Sequence, residues 1–316
     1  MTDAKKTDAP AKPPRPLVVG IASNASAELP GFVEGFVDGM RYLVAGEGEP
    51  LMLVHGLGGA ASNWLALAPA LLPGRRLIVP ELPGHGGSPP LPGAPGLDAY
   101  ADSVAALVEH VGVGTAAVVG HSFGGAVALR LAIRSPELVD RLVLAGAAGI
   151  SSATRRARYA LTITALVQPG KRIAPHRLLV ARSAVLRTLV FGRWGAADPP
   201  AFPPDVAESF LSGPARHTDT ASGARALVLD DPRQELERVR CPCLVLWGAR
   251  DTQLPIADAF EYARRLRAPL RVIADCGHLL IGERPDACAD AIESFLARST
   301  TGEPGGSPVP DRGAQI

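Results

Sequence analysis

Short apolar runs recur along the chain, and most of them end at a glycine or a proline. Each run is continuous rather than alternating, which is typical of strands buried on both faces of a parallel sheet. This pattern predicts strands at residues 51–54, 77–79, 116–119, 142–144, 244–247 and 270–273.

Helical patterns separate these runs. Residues 97–110 place their apolar side chains along one stripe of a helix, and residues 124–133 are almost wholly apolar, so a helix there must be buried. Strands that alternate with helices through short links form parallel sheets, in which functional groups gather at the carboxyl ends of the strands. The predicted fold class is therefore α/β, with a mostly parallel central sheet flanked by helices.

The alternation stops at residues 148–225, where Arg-rich helical pieces surround a Pro-rich bend and no convincing strand occurs. We interpret this segment as a helical cap inserted between the two parts of the core, residues 31–147 and 226–298. Residues 1–30 and 299–316 are poor in apolar side chains, which predicts a disordered arm and a disordered tail. No apolar run is long enough for a membrane span and no signal peptide is evident, so we expect a cytoplasmic protein without a membrane partner.

The chain has 316 residues, of which 47% are hydrophobic, enough for a large core. Lys and Arg number 32 against 31 acidic residues, and this balance gives no reason to expect a nucleic-acid partner. The charge is uneven, however, because residues 151–216 contain ten basic and three acidic side chains. Either these form a solvated helix face, or some of them attract an acidic substrate or an acyl-carrier partner. The candidates for such attraction are Arg155, Arg156, Arg158, Lys171 and Arg172.

The four cysteines do not form a convincing metal or disulfide pattern. A zinc site could be drawn from Cys241, Cys243, Cys276 and His278, but the Cys-x-Cys spacing lacks the usual separation of zinc ligands. Disulfides are not the default in a large chain without a signal peptide. We interpret the cysteines as small core residues and expect no bound metal.

Ser122 lies within a G-x-S-x-G stretch that follows a predicted strand and opens a predicted helix. Such a turn projects the serine from the edge of the sheet. A serine hydroxyl becomes a nucleophile only when a base accepts its proton, and a histidine oriented by a carboxylate is the usual base. His278 follows the strand at 270–273 and Asp251 follows the strand at 244–247, so both are expected at the same edge.

Five stretches carry a family resemblance: HGLGG at 55–59, PGHGGS at 83–88, GHSFGG at 120–125, WGARDTQLP at 247–255 and GHLLIGERPD at 277–286. Together they make the chain resemble the α/β-hydrolase superfamily over nearly all of residues 36–298. The resemblance implies that Ser122 is the nucleophile, His278 the base and Asp251 the residue that orients it. It also implies an oxyanion hole formed by the backbone N–H groups of Leu57 and Phe123.

The implied activity is cleavage of an ester, thioester or amide of a small acyl substrate through an acyl-enzyme, without a cofactor. Carbon–carbon hydrolases of aromatic degradation are a close alternative, resembling the chain in the cap and in the turn at 146–149. That branch typically has Asn before the serine and an aromatic residue after the histidine, where this chain has His121 and Leu279. Cofactor-free perhydrolases and acyltransferases also stay open, as do the substrate and the oligomeric state.

Two other classes of protein compete with a hydrolase. Gly56-x-Gly58-x-x-Ala61, followed by Glu81, matches a dinucleotide fingerprint and would indicate an NAD(P)-dependent oxidoreductase. An oxidoreductase would not explain why Ser122, Asp251 and His278 all follow predicted strands at the same edge of the sheet. A non-catalytic receptor of the hydrolase fold is the other alternative, but such proteins usually lose a member of the triad, and all three are present here.

Other polar residues in these motifs are interpreted as structural. We expect His55, His85 and His121 to hold loops by hydrogen bonding, and Glu283 to anchor its own turn.

Overall fold

The structure is a computed structural model that describes residues 29–154, 162–163 and 167–298. Most of the predicted arm and all of the predicted tail lie outside the described residues. Leu29 is an exception, because it is described and buried in the core, so the packed part of the chain begins slightly earlier than predicted.

An eight-stranded sheet forms the centre of the described structure, and a separate pair of two-residue strands lies outside it. The strands are β1 (Val33–Val37), β2 (Met40–Ala45), β3 (Glu49–Val54), β4 (Arg75–Pro80), β5 (His85–Gly86), β6 (Ala116–His121), β7 (Val139–Ala145), β8 (His217–Thr218), β9 (Cys243–Gly248) and β10 (Leu270–Ile273).

The strand order of the large sheet is β1-β2-β4-β3-β6-β7-β9-β10. The first two pairings are antiparallel and the others are parallel. The carboxyl ends of β6, β9 and β10 therefore reach the same edge of the sheet. The mostly parallel α/β architecture predicted from the sequence is confirmed.

Helices pack on both faces of this sheet. They are α1 (Ala68–Leu71), α2 (Leu97–Val111), α3 (Phe123–Arg134), α4 (Pro169–Ile173), α5 (Arg177–Arg182), α6 (Ala184–Phe191), α7 (Pro204–Ser212), α8 (Thr220–Leu229), α9 (Ile256–Leu266), α10 (Leu280–Glu283) and α11 (Pro285–Leu296). No helix among the described residues is long and apolar enough to cross a lipid bilayer.

The continuous apolar runs arise because the sheet has a core on each face. In β3, Leu51 and Leu53 pack in one apolar cluster while Met52 and Val54 pack in the other, and all four side chains are fully buried. Successive side chains of a strand point to opposite faces, so a strand covered on both sides must be apolar at every position. The cluster containing Met52 includes α2 and α3, whereas the other includes α11 and the helices α5, α6 and α7.

All six predicted strands are present, but β10 does not have the expected burial. It is the edge strand of the sheet, and both Arg271 and Val272 are exposed. The prediction that every run is buried on both faces was wrong here, because an edge strand has a neighbour on one side only. β1 and β2 were not predicted as strands, and they form the opposite, antiparallel end of the sheet.

The described part of residues 148–225 is mainly helical, as the sequence indicated. It also contains β8, which pairs with His85 and Gly86 of β5. The expectation that this segment has no strand was therefore wrong, although the strand is only two residues long. This pairing joins the segment to the loop that follows β4. The status of the segment as a separate cap domain stays a prediction.

Replacing Gly124 with Ala tests how closely α3 packs against the end of β3. A Cβ atom at this position would overlap the backbone carbonyl oxygens of Val54 and His55, which cannot move without disturbing the sheet. We expect Gly124→Ala to lower the free energy of unfolding by about 1–3 kcal/mol, as overpacking of a close contact does. Urea denaturation measures the difference.

Gly96→Ala is the matched control, since nothing lies within 4 Å of the position of its Cβ atom and its φ is −86°. We expect that variant to change the free energy of unfolding by less than about 0.5 kcal/mol. Equal losses in the two variants would contradict the close approach of α3 to β3.

Candidate active site

Ser122 lies in the sharp turn between β6 and α3. Its φ of 54° and ψ of −116° form a backbone conformation that residues with a side chain rarely adopt. The turn is possible because a Cβ atom on Gly120 would overlap the carbonyl oxygen of Gly124, and glycine has none. Hydrogen bonds to Ala145 and Ala148, each 3.0 Å long, hold the backbone of Ser122 in this conformation.

The structure brings together the three polar residues that the sequence singled out. The Nε2 atom of His278 lies 2.9 Å from the Oγ atom of Ser122, and its Nδ1 atom lies 2.8 Å from the Oδ2 atom of Asp251. An ionised carboxylate can only accept, so Nδ1 carries the hydrogen. Nε2 is then free to accept the serine proton.

Asp251 is held in place from its other side. Its side chain is 1% exposed, and its Oδ1 atom accepts hydrogen bonds from the backbone N–H groups of Gln253 (2.8 Å) and Leu254 (2.9 Å). The side chain of His278 is 9% exposed. The Ser–His–Asp arrangement is therefore largely shielded from water, which strengthens the hydrogen bonds within it.

Leu57 and Phe123, the predicted oxyanion donors, both lie beside Ser122. Leu57 lines the same cavity as Ser122, and a Cβ atom on the preceding residue, Gly56, would come within 3.2 Å of the serine Cβ. Phe123 is the first residue of α3. Among the described residues, no acceptor binds the backbone N–H group of Leu57 or of Phe123. Neither N–H group is therefore engaged within the described part of the protein.

His55 and His121 hold the loops around the site, as expected from the sequence. The Nδ1 atom of His55 donates to the Gly56 carbonyl (2.8 Å), while its Nε2 atom accepts from the backbone of Leu82 (3.0 Å). The Nε2 atom of His121 donates to the carbonyl of His278 (2.9 Å). Burial lowers the pKa of His55 and of His121 to about 3, so both rings are neutral near pH 7.

His85 has a similar structural position in the loop after β4. Its Nδ1 atom lies 3.0 Å from the carbonyl oxygen of Pro83, and its ring stacks on that of Phe123 with centroids 6.0 Å apart. Burial lowers the pKa of His85 as well. The ring thus packs against the side chain of Phe123, the first residue of α3.

Glu81, the acid of the dinucleotide alternative, is fully buried and serves the fold. Its carboxylate pairs with Arg41 at 2.9 Å and accepts the backbone N–H groups of Ala61 (3.2 Å) and Gly87 (2.5 Å). An acid that binds ribose must present its oxygens to a ligand, whereas these oxygens face protein groups.

A cavity of about 340 Å³ lies beside Ser122 and His278. On the core side its wall includes the loop at 56–59. The other side comes from the segment predicted as a cap: Gln168, Pro169, Gly170, Lys171, Trp194, Phe210 and Pro214.

Several residues of the site were not found from the sequence. Trp194 lines the cavity, and the Gln253 side chain donates to the carbonyl of Arg193 (2.7 Å), which ties the Asp251 loop to the predicted cap. These contacts join parts of the chain that are about 60 residues apart. No local pattern marks them, although Gln253 does lie inside the motif that contains Asp251.

The cysteines are free, and Cys243 and Cys276 pack in different apolar clusters. The four residues of the zinc alternative therefore do not converge. Among the described residues, no group of three or more His, Cys, Asp or Glu side chains is placed to hold a metal ion.

The model of the family described as "alpha/beta hydrolase fold" matches residues 49–285. The chain belongs to the α/β-hydrolase family. The match covers the strands β3 to β10 and every polar residue of the candidate active site, and the resemblance read from the motifs is thereby confirmed.

Curated relatives of this α/β hydrolase have several names. The 2-hydroxymuconate semialdehyde hydrolase of Pseudomonas sp. strain CF600 is 32% identical, over 81% of this chain and 89% of the relative. The pimeloyl-[acyl-carrier protein] methyl ester esterase of Aromatoleum aromaticum is 34% identical, over 78% and 97%. The dihydrolipoyllysine-residue acetyltransferase component of an acetoin cleaving system from Pseudomonas putida is 30% identical over 79% of this chain, which spans only 64% of that relative.

The structure also superposes on that of a solved esterase. The thermophilic esterase of Thermogutta terrifontis, with malate bound, superposes with a TM-score of 0.67 at 26% identity. The superposition covers 84% of this chain and 97% of the esterase. Relatives of this α/β hydrolase thus include hydrolases and esterases.

The buried histidines give a testable pH dependence. The pKa of His55 and of His121 is lowered in the folded state, so unfolding takes up protons below the ordinary histidine pKa of about 6.5. Each ring therefore contributes stability that is complete above pH 6.5 and is lost as the pH falls toward 3. At pH 5 the loss is about 2 kcal/mol for each ring.

NMR spectra of the imidazoles test this expectation. Neither the His55 ring nor the His121 ring should titrate between pH 5 and 8, and titration of both near pH 6.5 would contradict the buried geometry.

Proposed function

We propose that this α/β hydrolase is a serine hydrolase that cleaves a carboxylic ester, or a thioester or amide, through an acyl-enzyme intermediate. The observation that carries the proposal is the continuous hydrogen-bonded chain from Ser122 through His278 to Asp251, with distances of 2.9 and 2.8 Å. This geometry matches a nucleophile, a general base and a carboxylate that orients the base.

Acylation follows from the positions of these atoms. The Oγ atom of Ser122 attacks the carbonyl carbon of the substrate while the Nε2 atom of His278 accepts the serine proton. Asp251 keeps the hydrogen of His278 on Nδ1 and stabilises the imidazolium that forms. When the tetrahedral intermediate collapses, the bond to the leaving group breaks and Nε2 returns the proton to that group.

Deacylation repeats these steps with water. Nε2 of His278 accepts a proton from a water molecule as its oxygen attacks the acyl carbon, and then gives the proton to the departing Oγ atom of Ser122. In both halves the negative oxygen is stabilised by the backbone N–H groups of Leu57 and Phe123. Donors of this kind are worth about 3–4 kcal/mol each in the transition state.

The cavity supports a small acyl substrate with apolar parts. Its wall contains Leu57, Trp194, Phe210, Leu227 and Leu254 beside the polar residues of the site. A volume of about 340 Å³ is of the size that binds small ligands. The choice between ester, thioester and amide depends on the leaving group, which this wall does not specify.

Carbon–carbon hydrolysis is the second candidate, favoured by the 32% identity to the 2-hydroxymuconate semialdehyde hydrolase. Two positions of this chain argue for ester cleavage instead. The position before the serine is His121, which is neutral, buried and hydrogen-bonded to the carbonyl of His278. The residue after the histidine is Leu279, an aliphatic part of the cavity wall. Turnover of p-nitrophenyl esters compared with turnover of a ring-cleavage product separates the two candidates.

Ser122→Ala removes the attacking oxygen and leaves the turn intact. We expect release of p-nitrophenol from short acyl esters to fall by more than about 10⁴-fold, because no other group can form the acyl-enzyme. Labelling by a fluorophosphonate probe should disappear, while the circular dichroism spectrum and melting temperature change little.

Ser152→Ala is the matched control, since Ser152 also lines the cavity and is buried. Its Oγ atom accepts a hydrogen bond from the backbone of Gly149 and makes no contact with His278. Labelling should persist in this variant. Labelling that survives in Ser122→Ala would refute the proposed nucleophile.

We further propose that Lys171 favours substrates with a negative charge. Lys171 lines the cavity, and no acidic side chain among the described residues does so. Lys171 also forms no ion pair within the described part of the chain. Of the other candidates named from the sequence, Arg155, Arg156 and Arg158 lie outside the described residues, and Arg172 is exposed and does not line the cavity.

Lys171→Ala should lower kcat/KM for the monoester of a dicarboxylic acid by about tenfold, the effect of losing one favourable charge contact. The value for a neutral ester of similar length should stay within about twofold, and added salt should weaken the wild-type preference. Arg172→Ala is the control, because Arg172 is exposed and does not line the cavity. Equal changes for both esters would rule out a role of Lys171 in charge recognition.

A further inference from the structure

A short strap of the predicted cap, residues 192–197, runs from the end of α6 across the loops that contain Asp251 and His278. We call it the cap strap. Trp194 in the middle of the cap strap lines the cavity, and its ring packs edge-on against that of Phe191 at 5.4 Å. The cap strap thus contacts both the cavity and the loops of the triad.

Glu283, at the end of α10, joins the cap strap to the histidine loop. Its Oε1 atom accepts the backbone N–H of Leu279 (3.0 Å). Its Oε2 atom accepts the N–H groups of Gly277 (3.0 Å) and of Ala197 in the cap strap (2.7 Å). One carboxylate therefore binds the residues on both sides of His278 together with the cap strap. Hydrogen bonds to an ionised acceptor are stronger than those between neutral groups.

Other contacts tighten the same junction. The backbone N–H of His278 donates to the carbonyl of Gly195 in the cap strap (2.7 Å). A Cβ atom on Gly195 would lie 2.9 Å from the Cβ atom of His278, so the two backbones approach as closely as a glycine allows. Because Gln253 also donates to Arg193, the loops of Asp251 and His278 both bind the cap strap directly.

We propose that Glu283 is a positioning residue that fixes the cap strap and the catalytic histidine loop as one unit, so that a displacement of the cap strap also displaces His278. Its carboxylate is the shared acceptor, and it acts through the backbone of Gly277 and Leu279 without touching a reacting atom. The wall residue Trp194 and the base His278 are then set by the same contacts. The kinetic part of this inference rests on the proposed function; the structural coupling does not.

Asp230→Asn is the matched control for variants of Glu283. Asp230 is likewise a half-buried carboxylate whose pKa is raised by burial, and it pairs with Arg130 rather than with the cap strap. A variant that only destabilises the protein should behave like Asp230→Asn.

Hydrogen–deuterium exchange tests the coupling without any assumption about chemistry. In Glu283→Ala, amide exchange should rise about tenfold or more in both the cap strap and residues 277–279, since both lose an acceptor. In Asp230→Asn neither segment should change. Faster exchange in residues 277–279 alone, or in neither segment, would overturn the coupling.

Kinetics then test the positioning of the base. In Glu283→Ala, kcat for p-nitrophenyl acetate should fall by about 10–100-fold, because a displaced catalytic group costs rate. KM for this small ester should change less than kcat, and Glu283→Gln, which keeps one acceptor oxygen, should have a kcat between those of Glu283→Ala and wild type. Asp230→Asn should lower only the melting temperature. An unchanged kcat in Glu283→Ala would overturn the positioning role, whereas a wild-type protein that a fluorophosphonate does not label would refute the proposed function instead.

Discussion

The two hydrogen bonds of the His278 imidazole are the interaction on which the rest of the site depends. They join residues that are 27 and 156 positions away in the chain, so they exist only after β6, β7, β9 and β10 have assembled into one sheet. The parallel sheet supplies that assembly, because it delivers the carboxyl ends of its strands to one edge.

The structure at that edge has an unfavourable free-energy cost, and contacts with the surrounding residues compensate for it. Ser122 is held in a strained conformation, and several polar groups are buried beside it. The strain is tolerated because α3 packs closely on β3 and β6 behind the turn. Several of the buried polar groups are stabilised by hydrogen bonds: Glu81 accepts from backbone N–H groups, and His121 donates to the carbonyl of His278. Fold stability and site geometry therefore rest on the same contacts.

The sequence was informative wherever a local pattern has a local cause. Apolar runs predicted the parallel strands because both faces of those strands are covered, and the glycines around Ser122 predicted its turn because only glycine fits there. β10 was predicted as a strand, but its exposure was not. β1 and β2 were not predicted, because Glu34 and Arg41 interrupt their apolar patterns. The contacts of Trp194, Gln253 and Glu283 with distant loops could not be predicted, because they depend on how the cap segment lies on the sheet rather than on neighbouring residues.

The candidate triad and much of the cavity wall come from different parts of the chain, and this has a consequence for substrate specificity. The core supplies Ser122, Asp251 and His278, which in the proposed function would act on many acyl groups, while the predicted cap supplies much of the cavity wall. If the cap made no contact with the loops of the triad, its residues could be changed to admit another substrate without affecting Ser122, Asp251 or His278. Here the backbone N–H of His278 itself is hydrogen-bonded to the cap strap, so under the proposed coupling a change that reshapes the wall near Trp194 would also displace His278. Substrate range and catalytic rate would then be linked properties, and altering one without the other requires changes elsewhere in the cavity wall, such as at Lys171.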